Sequence, residues 1–304
     1  MQMKFKAHQS FAIRKGWLSK GLHAITKPNF AGIFMPSNSK AAMDELGLGS
    51  NQVVALRYWL QTLGLVESKS GAHNREQELT MLGLLVYEND PYIEEVGTLC
   101  ALQCNLASAA ENATSWYYFF NKFDMSVFSK DDFVRGLEHY IFNCYDKKEI
   151  SLKSLEDDFN CIINTYISHY QLNKKLVSPE SVIDCPLNDL NLISVENRSA
   201  KLFRKTPPNS AILPALMVLY CICAMKERYQ DLEREIKLSD LTSAEYSPGR
   251  IFNLDTSNLL VKLYELENDG YIRINRTAGL DVIRLSEPQL TAYDCLARYY
   301  DFIG

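Results

Sequence analysis

Two groups of carboxylates in the middle of the chain have the residue types for phosphodiester chemistry. One is Asp90-Pro91-Tyr92-Ile93-Glu94-Glu95; the other is Glu156-Asp157-Asp158, with Tyr166 about two turns further on. Cutting a phosphodiester commonly uses a divalent cation, Mg2+ or Mn2+, held by two or three carboxylates. The ion stabilises the charge that builds in the in-line transition state. A helix capped by Asp90 would put Asp90 and Glu94 on one face and turn Glu95 about 100° away. Asp90 and Glu94 are therefore the candidate metal ligands. Asp90, Glu94, Asp157, Asp158 and Tyr166 are the candidate catalytic residues. A plainer role competes, because acidic residues at a helix start cap its free N–H groups and complement its dipole. No PD-(D/E)xK, HNH or GIY-YIG arrangement is present. The absence of a Walker loop, GxGxxG and GxSxG leaves no nucleotide cofactor to expect.

A second set of side chains suits DNA. Ser50, Asn51, Gln52, Arg57, Tyr58 and Gln61 fall along one predicted helix, Asn51–Leu63, with Ser50 as its N-cap. Val53, Leu56, Leu60 and Leu63 form its buried stripe, which turns Asn51, Tyr58, Gln61 and Thr62 outward. A polar helix face of this width fits a major groove. Lys69, His73 and Arg75 follow where a wing would contact phosphates, and Arg14, Lys15, Lys20 and Lys27 extend the positive surface.

The elements that must position these groups repeat. Ser39–Leu46, the Gly47-Leu48-Gly49 turn, the Asn51–Leu63 helix and a strand at Leu65–Lys69 spell a winged helix-turn-helix. A second copy runs from about Leu238 to Leu285: Asp255 caps a helix to Asn268, and strands at Tyr271–Asn275 and Leu280–Leu285 follow. The expected fold is mainly α, in three domains. These are a winged helix-turn-helix at 1–85, a helical middle at 86–235 and a winged-helix-like domain at 236–304. Helices are predicted at 92–108, 112–121, 129–144, 151–169 and 211–235, and Ser178–Pro208 reads as irregular.

Charge sorts the chain in the same way. Residues 1–83 hold ten Lys or Arg against five Asp or Glu, whereas the whole 304-residue chain stands at −5. A basic module on an acidic body still approaches phosphate. Residues 237–287 carry six basic and eight acidic side chains. The second unit therefore suits homodimerisation or partner docking better than DNA contact. With 47% hydrophobic residues, no apolar run of membrane-spanning length and no signal-peptide stretch, a cytoplasmic protein with no membrane partner is expected. Its eight cysteines read as reduced, buried thiols. Neither Cys100/Cys104 nor Cys221/Cys223 has a second ligand pair at zinc spacing, so no structural zinc is expected.

The segments Phe11–Trp17, Leu46–Trp59, Leu79–Gly83 and Asp90–Leu99 together resemble a bacterial family long described only as of unknown function. Ser247–Phe252 and the Asn164-Thr165-Tyr166 step add to the likeness. That family, SspB, is the nicking component of Ssp-type systems, which place phosphorothioates in one DNA strand for phage defence. The resemblance implies double-stranded DNA as substrate and a sulfurtransferase and an ATPase as partners. The matched segments contain Arg14, Lys15, the Ser50–Arg57 helix start, Asp90, Glu94 and Arg250. The chain departs from the family after Leu99, where Cys100, Gln103 and Cys104 replace aromatics and a histidine. The expected function is a DNA-binding protein that nicks DNA during phosphorothioate modification. The alternative is a non-catalytic DNA-binding adaptor or transcriptional regulator that recruits the modification partners.

Overall fold

Apolar residues recurring at helical spacing produce most of the structure, and the expectation of a mainly helical chain holds. The computed structural model describes residues 3–28, 32–69, 76–144, 150–172, 184–229, 235–277 and 280–304. The first third contains α1 (Trp17–Thr26), α2 (Ser39–Leu46), α3 (Ser50–Thr62), β1 (Val66–Ser68), β2 (Gln77–Leu79) and α4 (Met81–Asn89). Gly47, in the left-handed region at φ +64°, ends α2. The N-cap of α3 is Gly49 rather than the expected Ser50; the Gln52 side chain reaches back to the Gly49 N–H at 3.0 Å. Val53, Leu56, Leu60 and Leu63 are all buried, as their spacing requires. Each fully buried leucine contributes about 1.5–3 kcal/mol. β1 and β2 pair antiparallel with Val66 opposite Leu79.

The middle contains α5 (Val96–Ser108), α6 (Thr114–Asn121), β3 (Val127–Phe128), α7 (Lys130–Cys144), α8 (Leu152–Tyr166) and α9 (His169–Leu172). After these come β4 (Ile193–Asn197), β5 (Leu202–Lys205) and α10 (Ala215–Arg228). Every residue of the aromatic run Trp116–Phe120 is buried. Three strands in the order β3-β5-β4 form an antiparallel sheet. Two of them lie within Ser178–Pro208, the stretch expected to be irregular.

The final third contains β6 (Glu235–Lys237), α11 (Leu238–Ser243), α12 (Pro248–Ile251), α13 (Thr256–Asn268), β7 (Ile272–Thr277), β8 (Leu280–Leu285) and α14 (Ala292–Ile303). The Asp255 side chain caps α13 by accepting from the Asn258 N–H at 2.8 Å. β6-β8-β7 form a second three-stranded antiparallel sheet.

Buried apolar side chains form one cluster running from Ile13 to Tyr300. Its axis is α10, with Met217–Cys223 and Met225 all buried against α5, α13 and α14. The Thr98 and Tyr300 hydroxyls, 2.6 Å apart, join α5 to α14. All eight cysteines are free; Cys144 is exposed and the other seven are buried. Among the described residues no helix is long and apolar enough to cross a membrane.

The Ser247-Pro248-Gly249-Arg250 step is a close joint. Ser247 caps α12, and a Cβ on Gly249 would lie 2.2 Å from the Thr242 carbonyl oxygen. Backbone cannot yield as a flexible side chain can. Gly249→Ala should therefore destabilise the protein by about 1–3 kcal/mol in urea unfolding; an unchanged midpoint would refute this packing.

Candidate nucleic-acid interface and carboxylate sites

The helix expected to read DNA is open at its start and covered at its end. Ser50, Asn51 and Val54 are exposed, Gln52 is half-buried and occupied with the cap, and Arg57 is half-buried. Tyr58, Gln61 and Thr62 do not face outward as expected. The Tyr58 hydroxyl donates to the Asn112 carbonyl at 2.9 Å, and its ring packs on Trp59 and His8. Burial, reinforced by the Asp158 charge, holds the Tyr58 phenol well above its ordinary range. Gln61 donates to Gln77 on β2 at 2.8 Å, and Thr62 is buried. The misreading has a physical cause, since a polar helix face packs readily where a neighbouring segment supplies carbonyls and amides.

The basic residues are partly occupied. Lys20 donates to the Leu46 carbonyl at 3.0 Å, closing the end of α2, and Lys27 pairs with Glu45. Lys15 lies 3.5 Å from Glu94, and the Arg14 guanidinium sits over the Trp17 ring at 5.5 Å. Lys69 is exposed at the end of β1. His73 and Arg75 lie outside the described residues.

Arg250 is bound into the joint around α12. It donates to the Ser243 carbonyl at 3.0 Å and pairs with Asp124. Beside it, Glu245 takes hydrogen bonds from Tyr117 and Lys122. Lys205 donates to the carbonyls of Phe119 and Phe123 at 2.5 and 2.6 Å. Burial pushes its amine down to about 7, with the Arg250 charge adding to the effect and Asp124 opposing it.

Neither carboxylate group has the expected geometry. Asp90 follows α4 and precedes α5, which starts at Val96, so Asp90 and Glu94 do not share a helix face. The buried Asp90 carboxylate instead closes the turn, accepting from the Glu94 and Glu95 N–H groups at 3.0 Å each. Glu94 is exposed and directed to Lys15.

Asp157 pairs with Lys6 at 2.6 Å. Asp158 is only 1% exposed and accepts from the Lys6 N–H at 2.8 Å and the Ser115 hydroxyl at 2.5 Å. It also shares a hydrogen with His8 Nε2 at 2.8 Å. Tyr166 donates to Gln103 at 2.6 Å inside the core, and burial keeps its phenol protonated far above the usual range. Among the described residues no three His, Cys, Asp or Glu side chains group to hold a metal ion. His8 and Ser115, which the sequence reading passed over, have no partner spacing that would mark them; only the fold brings them to Asp158.

A protein family described as of unknown function, DUF4007, matches residues 5–300. No curated protein matches the chain. Two solved structures share its fold. Magnesium ion-bound SspB is 24% identical, with a TM-score of 0.82 over 98% of this chain and 88% of that one. A second structure of SspB is 23% identical, with a TM-score of 0.81 over the same shares.

Two outcomes follow from the buried charges. Asp90→Asn leaves a single acceptor for two backbone donors and should cost about 1–3 kcal/mol in chemical unfolding. Were Asp90 a simple helix cap, the same change would be nearly silent. Lys205 sets a pH dependence. Above about pH 7 the unfolded chain binds a proton that the native amine has released, so this group makes the unfolding free energy rise with pH. The Tm difference between the native protein and Lys205→Met should therefore shift in favour of the native protein from about pH 7 to pH 9. A constant difference would refute the depressed amine.

Proposed function

Because the chain belongs to the DUF4007 family and shares its fold with SspB, we propose that it is the DNA-binding component of an Ssp-type phosphorothioation system. One observation carries the reading. Both helix–turn–helix–hairpin units leave the start of their second helix uncovered, which is the end a winged helix-turn-helix presents to base edges. In the first unit these residues are Ser50, Asn51 and Val54; in the second they are Thr256 and Ser257, with Val261 and Tyr264 exposed further along the helix. Exposed Arg273 and Arg276 stand on β7 beside the second helix, with the Arg276 guanidinium 5.6 Å from the centre of the Tyr264 ring. The second unit thus joins the first as a DNA contact. Its substrate is double-stranded DNA in the cytoplasm, and the acidic remainder of the chain is the face for the sulfurtransferase and ATPase.

The likeness to SspB favours a second reading, in which the chain also nicks the strand it holds. One of the SspB structures contains magnesium. Here Asp90 and Glu94 do not fit a cation, because both Asp90 oxygens accept backbone hydrogens and Glu94 is drawn to Lys15. A holding and recruiting role is what the arrangement supports best.

Plasmid and duplex assays test both readings. The protein should retard supercoiled plasmid without producing open circles in Mg2+ or Mn2+. Open circles abolished by a chelator would establish nicking instead. Asn51→Asp and Arg273→Glu should each weaken binding to a short duplex about tenfold, or about 1.4 kcal/mol, while Tyr58→Phe should leave it unchanged. No retardation at low salt would remove the DNA-binding reading.

A further inference from the structure

A cation-lined cleft lies away from both helix–turn–helix units. It has a volume of about 650 Å³ and opens between α8, the start of α7, α9 and the β4–β5 hairpin. That size falls within the roughly 300–1,000 Å³ typical of small-ligand sites. Its lining combines three chemistries. The half-buried Phe203 ring, backed edge to face by the buried Phe159 at 5.9 Å between centroids, supplies an aromatic wall. Asn160 and Asn164, one turn apart on α8, supply amides, and neither side chain is hydrogen-bonded among the described residues. Lys130, Arg198 and Lys201 supply positive charge, and among the described residues no carboxylate lines the cleft in a chain whose net charge is −5. Among the described residues, Lys130 alone of the three cations has an acidic partner, Glu156 at 3.4 Å.

An aromatic wall, amides and a net positive lining are the complement of a nucleotide: a base that stacks, a base edge that hydrogen-bonds and a phosphate. A base within a duplex cannot enter, because its faces and its pairing edge are already engaged. A smaller cleft shares Asn164 and is lined by Arg14 and His169, which offers the adjoining phosphate of a continuous strand a second contact. We infer that this cleft receives an unpaired nucleotide of a DNA strand, held by Arg198 and Lys201 at its phosphate and by Asn164 at its base edge. The inference rests on the DNA-binding reading and adds that the protein handles locally opened DNA.

Fluorescence anisotropy with a labelled short single strand and, separately, a labelled short duplex tests it on the full chain. Variants are Arg198→Ala with Lys201→Ala, and Asn164→Ala, each checked for an unchanged unfolding midpoint. The native protein should bind the single strand. The double variant should weaken that binding at least tenfold and reduce the slope of log K against log salt by about 0.7, the share of the one phosphate the pair neutralises. Asn164→Ala should weaken it with no change of slope. Both variants should bind the duplex within about twofold of the native protein. Single-strand affinity that is absent, or equal in native protein and variants while the duplex binds, would overturn the cleft assignment and leave the DNA-binding reading standing. Loss of duplex binding in the native protein would instead defeat that reading. Competition by deoxynucleoside monophosphates as strong as by the strand would make the occupant a free nucleotide and overturn the strand assignment.

Discussion

A carboxylate in a protein interior must be matched by donors, and Asp158 imposes that demand on the whole N-terminal half. Taking the charge out of water costs several kcal/mol unless good hydrogen bonds replace the solvent. The donors arrive from separated segments: the Lys6 backbone and His8 ring from the chain start, and the Ser115 hydroxyl from α6. Satisfying Asp158 therefore fixes the N-terminal segment across α8. The His8 ring then stacks on Trp59 at 5.9 Å and meets the edge of Trp116 at 5.7 Å. Once those rings are in place, the end of α3 is covered and only its start remains open.

The two helix–turn–helix–hairpin units share an element order but not an environment. The first is clamped through its second helix, α3, by Tyr58 onto Asn112 and by the Asn105 side chain onto the Leu63 carbonyl. The second is held from behind by α10, which packs on α13 and leaves Val261 and Tyr264 at the surface. Charge counts favoured the first unit as the DNA reader, whereas packing opens the second more widely. Local charge is legible in a sequence. Which face a neighbouring segment covers is a non-local property.

The same distinction explains how much of the molecule could be read in advance. α2, α13 and the β7–β8 hairpin follow from caps, turns and periodicity contained in the elements themselves. Asp255 acts as the cap its position suggested. The β4–β5 hairpin was missed because the prolines around it suggested irregular chain, although Ile193–Val195 and Leu202–Phe203 flank a turn with strand-like residues. Asp90 was read as the start of a helix that begins six residues later. An Asp that satisfies two N–H groups looks the same in sequence whether a helix or a turn provides them. The burial of Asp158 and Tyr166 depends on His8 and Gln103, distant in sequence, so no local pattern could reveal it.

The reach of the Asp158 contacts also sets a timetable for synthesis. Lys6 and His8 meet a partner 152 and 150 residues downstream, and Thr98 meets Tyr300 across 202 residues. At translation rates of about 5–20 residues per second, His8 waits roughly 8–30 seconds for Asp158 to be made. Throughout that interval the face of Trp59 that His8 will cover stays bare on the nascent chain. Closing such distant contacts also slows folding after release. The protein thus passes through a long aggregation-prone window, and its yield in a cell should depend on chaperones that shield the first hundred residues until the middle helices emerge.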